Sequence, residues 1–116
     1  EGFEVEVTAA YNIVKTQCHA KENKWVGYLF KFGSTSAYYT SDTEYIPEME
    51  KIRTDIIFVP LGQTYTMQSV EDAVKAVKTT QAKIAVPIHY GKYEGSKEDA
   101  EKFKKLAGKF AQVVNL

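Results

Sequence analysis

The sequence predicts an α/β chain in which a mixed β-sheet carries its helices on one face. Three observations carry this expectation. Residues 3–8 alternate strictly between apolar and polar side chains, and 25–32 and 37–40 are two more strand-like runs parted by a turn at Gly33-Ser34, so the chain opens with antiparallel strands. Two continuous apolar runs follow, 55–60 and 83–87, the pattern of strands buried on both faces of a parallel sheet. Amphipathic segments separate these runs, giving the order β-α-β-α-β, and crossovers of that kind are right-handed.

Each element has a local reason. Val5 and Val7 stand between Glu4 and Glu6, which makes the first strand half-buried. Residues 25–32 are aromatic and apolar, and the turn returns the chain along 37–40 as a hairpin. Ile46 to Ile52 reads as a short helix, with Pro47 tolerated in its first turn. Ser69 with Asp72 three residues later forms a capping-box pattern. Val70, Ala73, Val74 and Val77 then recur at helical spacing on one apolar face. Ser96 and Asp99 repeat the cap, and Ala100, Phe103, Ala107 and Phe110 line a second helical face. Residues 111–116 read as a last strand.

A chain of 116 residues is expected to form one domain, spanning 1–116. Its formal net charge of +0, with both signs mixed along the chain, gives no basic stripe for a nucleic acid. Lys104, Lys105 and Lys109 are read as a solvated helix end. No apolar run approaches the roughly 18 residues of a membrane span, and no segment reads as a signal peptide. Cys18 stands alone, so an intrachain disulfide is excluded and a reducing, cytoplasmic location is expected. The start at Glu1, directly before strand-like sequence, is the start expected of a piece of a longer protein.

Two segments carry the chemistry. Tyr38-Tyr39-Thr40-Ser41-Asp42-Thr43 and Val86-Pro87-Ile88-His89-Tyr90-Gly91 each run from strand-like sequence into a side chain that can ligate a metal. His19 and Lys21 lie further upstream, and Thr64, Tyr65 and Thr66 follow the first buried run, on the side where open sheets place ligands. Each has a plainer reading. Asp42 suits a cap for the helix near Ile46. A lone His89 suits a satisfied loop histidine. Lys21 suits solvent, and Tyr65 suits packing. A thiol dyad of Cys18 with His19 is disfavoured, because neighbours on an extended segment point to opposite faces.

Ala10-Tyr11-Asn12, His19-Ala20-Lys21, Val26-Gly27-Tyr28, Ser41-Asp42-Thr43, Ile46-Pro47-Glu48-Met49, Thr64-Tyr65-Thr66-Met67 and Val86-Pro87-Ile88-His89-Tyr90 occur in this order. Together they resemble the C-terminal half of metallo-β-lactamase-fold metal-dependent hydrolases, in the branch that includes ascorbate-phosphate lactonase-like proteins. The resemblance implies half of an αββα sandwich, with helices on one face of a mixed sheet. It implies two Zn2+ ions in the complete enzyme and a hydroxide bridging them. It implies Asp42 as the bridging, catalytic carboxylate, His89 as the last histidine of the second metal and His19 as the third histidine of the first. Lys21 and Tyr65 are the substrate-binding candidates. The family's remaining ligands come from a His-x-His-x-Asp-His motif that no position here matches. Gly62-Gln63 also departs from the paired glycines the family carries at that loop.

Three ligands divided between two metals hold neither well, so the chain alone is expected to bind zinc weakly and hydrolyse nothing. The sheet face away from the helices is expected to be apolar, with Val5, Val7, Phe30, Phe58 and Val86 as candidates. It needs cover from a missing N-terminal half or from a homodimer partner, over roughly 1,200 Å² or more in total. The alternative to an enzyme half is a non-enzymatic half-domain that dimerises or docks onto a partner.

Overall fold

A computed structural model describes residues 2–92 and 94–116. The strands are β1 (Glu4–Ala9), β2 (Val26–Phe32), β3 (Thr35–Tyr39), β4 (Ile56–Pro60), β5 (Ile84–Ile88) and β6 (Gln112–Val113). Helix α1 (Val70–Thr80) joins β4 to β5, and α2 (Lys97–Ala107) joins β5 to β6. The segment expected as a short helix is a 3-10 turn, Pro47–Lys51, and a second such turn covers Lys21–Asn23.

The strands form one sheet in the order in which the chain visits them. β1, β2 and β3 pair antiparallel, and β3 through β6 pair parallel. Because the order never reverses, right-handed crossovers lay every helix on the same face. Cross-strand partners share a face, so the register assigns the sides. Leu29, Tyr38, Ile57 and Ala85 lie on the helix side and are 6% exposed or less. They join Val70, Ala73, Val77, Ala100, Phe103 and Ala107 of the helices in one core. Full burial of a side chain such as Phe103 contributes about 1.5–3 kcal/mol.

Val5, Val7, Phe30, Phe58 and Val86 share the opposite face, as expected. Phe3, Tyr28, Phe32 and Tyr39 join them, and Phe30 and Phe32 stack with centroids 6.3 Å apart. Val86 differs from the expectation in one respect: it lies on this face but is buried. On its other side the β1–β2 hairpin carries Glu4, Glu6 and Lys31 alongside Leu29, which enters the core. There Lys31 Nζ lies 3.4 Å from Glu6 Oε2.

The caps hold as read. Asp72 N donates to Ser69 Oγ at 3.1 Å, and at α2 the box is reciprocal, with Asp99 N to Ser96 Oγ at 3.0 Å and Ser96 N to Asp99 Oδ2 at 2.8 Å. Two expectations are corrected. Phe110 is not on the buried helical face: α2 stops at Ala107, the chain turns through Gly108, and Phe110 lies half-exposed under Lys78 Nζ, 5.3 Å from its ring centre. The last strand is Gln112–Val113 only, because its pairing with β5 ends at Ala85. Among the described residues no helix is long and apolar enough to cross a membrane.

Candidate functional site

β3, β4 and β5 run parallel, so their C-terminal ends meet at one rim of the sheet. β1 opposes β2, which opposes β3, so β1 ends at the same rim. The loops after these four strands, 10–25, 40–55, 61–69 and 89–96, begin together where open α/β sheets bind ligands.

Asp42 stands at the centre. His19 Nε2 lies 3.4 Å from its Oδ2, and His89 Nδ1 lies 2.9 Å from its Oδ1. Each carboxylate oxygen therefore faces a different imidazole. The shorter contact lacks hydrogen-bond geometry, for Asp42 Oδ1 is buried and has no hydrogen-bond partner. His19 Nδ1 is buried without a partner as well, and its ring meets Trp25 edge-on at 5.1 Å.

The backbone is unusual at these positions. His19 (φ 56°), Ser41 (φ 63°) and His89 (φ 59°) adopt the left-handed conformation. Among the described residues two other non-glycines do so, Lys24 and Gln81, and both simply end helical turns. Non-glycine residues held in that region cost of order 1–3 kcal/mol each, and such strain gathers where function over-determines geometry.

A cleft of about 230 Å³ opens beside His89, lined by Tyr65, Tyr90, Lys92 and Glu94. Glu94 builds its wall. Its Oε2 accepts from Tyr65 N at 2.9 Å, and its Oε1 lies 3.4 Å from Thr66 Oγ1 and 4.0 Å from His89 Nδ1. Gly62 makes this possible, because a Cβ there would meet the Glu94 Cδ at 1.9 Å. Tyr65, read from sequence as either a cleft or a packing residue, lines this cleft. Lys21 lies elsewhere, its Nζ 5.0 Å above the Tyr11 ring.

Sequence reasoning passed over Glu44 and Glu94. Glu44 is only 2% exposed. Burial pushes its carboxyl up, but backbone N–H groups of Lys15, Val14 and Ile13, with the Gln68 amide, outweigh burial and hold it below the usual carboxylate range. A charged residue between Thr43 and the Tyr45-Ile46 pair, where the chain turns back into the core, was the available signal for it. Nothing in the composition around Glu94 marks it.

Two imidazoles and a carboxylate are a donor set that suits a divalent metal such as zinc. Asp42 Oδ1, buried and free of hydrogen bonds, has lone pairs to offer a cation. Among the described residues, however, no three His, Cys, Asp or Glu side chains are arranged to hold a metal ion by themselves. The chemistry fits a metal centre, and the set is partial.

Comparison with known proteins bears on that centre. The profile of a family described as a β-lactamase superfamily domain matches residues 1–90. A UPF0173 metal-dependent hydrolase of Thermoplasma acidophilum is 36% identical over 118 residues, which cover 98% of this chain and 51% of that protein. A UPF0173 metal-dependent hydrolase of Pyrococcus furiosus is 34% identical over 95 residues, covering 78% of this chain and 42% of the relative. Among solved structures, a proposed metal-dependent hydrolase from Parabacteroides distasonis superposes with a TM-score of 0.84 at 31% identity, over 97% of this chain and 50% of that one. Igni18, a metallo hydrolase from Ignicoccus hospitalis, shares the fold with a TM-score of 0.77 at 21% identity, over 99% and 50% of the two chains. The chain thus spans about half the length of the curated relatives it matches.

Proposed function

This chain belongs to the metal-dependent hydrolases of the metallo-β-lactamase superfamily, and from that premise we propose that it supplies one half of a two-zinc hydrolytic site. The observation that carries the reading is Asp42, whose two oxygens face two different histidines at 2.9 and 3.4 Å. A carboxylate that offers its two oxygens in different directions could share its charge between two cations. His19 would then help hold one cation and His89 the other. A second segment bearing the His-x-His-x-Asp-His motif completes both shells. The bound cations supply Lewis acidity and lower the pKa of water at the site.

The chain's own groups do the rest. Asp42 spreads its negative charge between the two positions. The left-handed turns at His19 and His89 fix where the imidazoles point. Tyr65, Tyr90 and Glu94 shape the adjoining cleft and limit the water around a bound substrate. The resemblance to the lactonase-like branch makes phosphorylated sugar lactones the first substrates to try, in a cytoplasmic setting.

The partner rests on the sheet. In the β1–β2 hairpin the side without helices is apolar throughout, and the helix side carries Glu4, Glu6 and Lys31 beside Leu29. That polarity suits a strand pair whose interior lies on the open face, covered by the complementary half or, failing that, by a second copy.

Co-expression with the N-terminal half of the Thermoplasma relative is the test. A complex holding two zinc ions by plasma mass spectrometry, hydrolysing a lactone, and losing both properties in Asp42→Ala, bears the reading out. Tight uptake of two zinc ions by the chain alone overturns its half-site aspect. The second reading, a half-domain that docks without catalysis, is favoured by the absence of a three-ligand group among the described residues. A complex that forms and takes no metal selects it.

A further inference from the structure

The loop that carries His19 is sixteen residues long by position, 10–25, and has one short 3-10 turn of its own. Such a loop needs an external reason to hold one shape. Glu44 provides it. Its Oε2 accepts from Ile13 N at 2.8 Å and Val14 N at 3.0 Å, and its Oε1 accepts from Lys15 N at 2.9 Å. Three successive backbone N–H groups curled around one anion form a nest. Here the anion belongs to the protein itself. Gln68 Nε2 adds a fourth bond at 2.9 Å and ties in the loop after β4.

The consequences run directly to the site. Glu44 lies two residues beyond Asp42, so whatever it grips is brought to the Asp42 loop. Thr43 continues the seam: Tyr11 N donates to Thr43 Oγ1 at 3.1 Å, and Glu44 N donates to Tyr11 O at 3.1 Å. On the far side of the nest Asn12 N donates to His19 O at 2.8 Å, closing the loop with His19 against Asp42. Ile13 and Val14 leave their side chains 51% and 68% exposed. Their own side chains therefore do not hold Ile13 and Val14; Glu44 grips their backbone, while Asn12 Nδ2 to Tyr65 O at 2.6 Å and Lys15 Nζ to Gln63 O at 2.9 Å and Met67 O at 3.1 Å tie the neighbouring positions to the loop after β4.

We infer that Glu44 is the positioning residue that seats the His19 loop on Asp42. It touches neither cation nor substrate. It acts through the nest, and it replaces with one buried carboxylate the packing that an exposed loop lacks. The inference rests on the proposed function only in treating His19 as a site residue.

Two measurements on the chain test it. In the wild-type protein the amides of Ile13, Val14 and Lys15 exchange with solvent about 10- to 100-fold more slowly than in a free peptide, the factor that a hydrogen bond to a charged acceptor implies. In Glu44→Gln one of the two acceptor oxygens becomes an NH2 group that cannot accept, so protection is lost at the amides it faces. By NMR the ring contact between His19 and Trp25, the sole tryptophan, is then lost, while Tyr38 and Phe103 keep their core shifts. A general loss of stability lowers the melting temperature without moving the His19 ring below it. Free-peptide exchange at 13–15 in the wild type overturns the inference, and so does a His19–Trp25 contact that persists in folded Glu44→Gln. Should that variant fail to fold, wild-type exchange decides alone. No metal or substrate enters, so failure here leaves the metal reading standing, and a metal-free complex leaves the clamp standing.

Discussion

β4 and β5 are apolar on both sides: Ile57 and Ala85 press against the helices, and Phe58 and Val86 look the other way. The β1–β2 hairpin of the same sheet is divided, with Glu4, Glu6 and Lys31 beside the buried Leu29 on the helix side and Val5, Val7, Tyr28, Phe30 and Phe32 on the open side. The helices make no appreciable contact with β1 and β2, so charge is free to stand there. Leu29 is buried on the helix side, and Val5, Val7, Tyr28 and Phe32 stay exposed on the other. The two regions therefore differ in cover: β4 and β5 press one side against the helices, and the hairpin leaves most of its apolar side chains exposed on the open face.

The comparison breaks most visibly at its covered side. Phe103→Ala removes a fully buried ring beneath the helix layer and is expected to cost about 3–5 kcal/mol in chemical denaturation. Phe32→Ala, on the open side of the hairpin, is expected to stay within about 0.5 kcal/mol in the isolated chain. Equal costs would mean that the open face is already covered in solution.

Next comes pH. Burial pushes the Tyr38 phenol, on the helix side of β3, up to about 12. The group is neutral in both states below its ordinary value near 10, so its contribution is complete there. As pH rises from about 10 to 12, the unfolded chain ionises first and stability falls, by up to about 2–3 kcal/mol. Thermal melts of the wild type and Tyr38→Phe across that window should diverge in this direction.

On the open side, Val7→Lys is expected to leave the melting temperature of the isolated chain within a few degrees and to weaken capture of the complementary half by at least about tenfold, or about 1.4 kcal/mol. Calorimetric titration reads it. Unchanged affinity would place the partner elsewhere. The smallest effect belongs to the polar side of the hairpin. Lys31→Ala breaks the exposed pair with Glu6 and is expected to cost no more than about 1 kcal/mol, less at high salt.

Much of this was legible in residue order. Alternation at 3–8 and continuous runs at 55–60 and 83–87 gave the strands, and Ser69 and Ser96 gave the helix starts, because period and cap are local signals. Asp42 and His89 can be singled out because each is a metal donor at the end of a strand-like run; His19, and the expectation that the three converge at one rim, come from the family resemblance. Their distances are not readable from residue order, since they depend on how β1, β3 and β5 end. Phe110 misled because its spacing continues the helical face past the residue where the chain turns. Glu44 and Glu94 stayed hidden because a carboxylate in a loop reads as solvated until the backbone that curls around it is seen.

The left-handed turns at His19, Ser41 and His89 set a direction for molecular evolution in the laboratory. Glycine occupies that backbone region at lower energy than histidine or serine does. A library screened for heat resistance alone should therefore drift toward glycine at positions 19, 41 and 89. Each accepted change would raise the melting temperature, and at 19 and 89 it would also delete an imidazole from the rim. Hardening this protein and keeping its chemistry are opposed choices at these histidines, so a stabilised variant has to draw its gains from the helix layer instead.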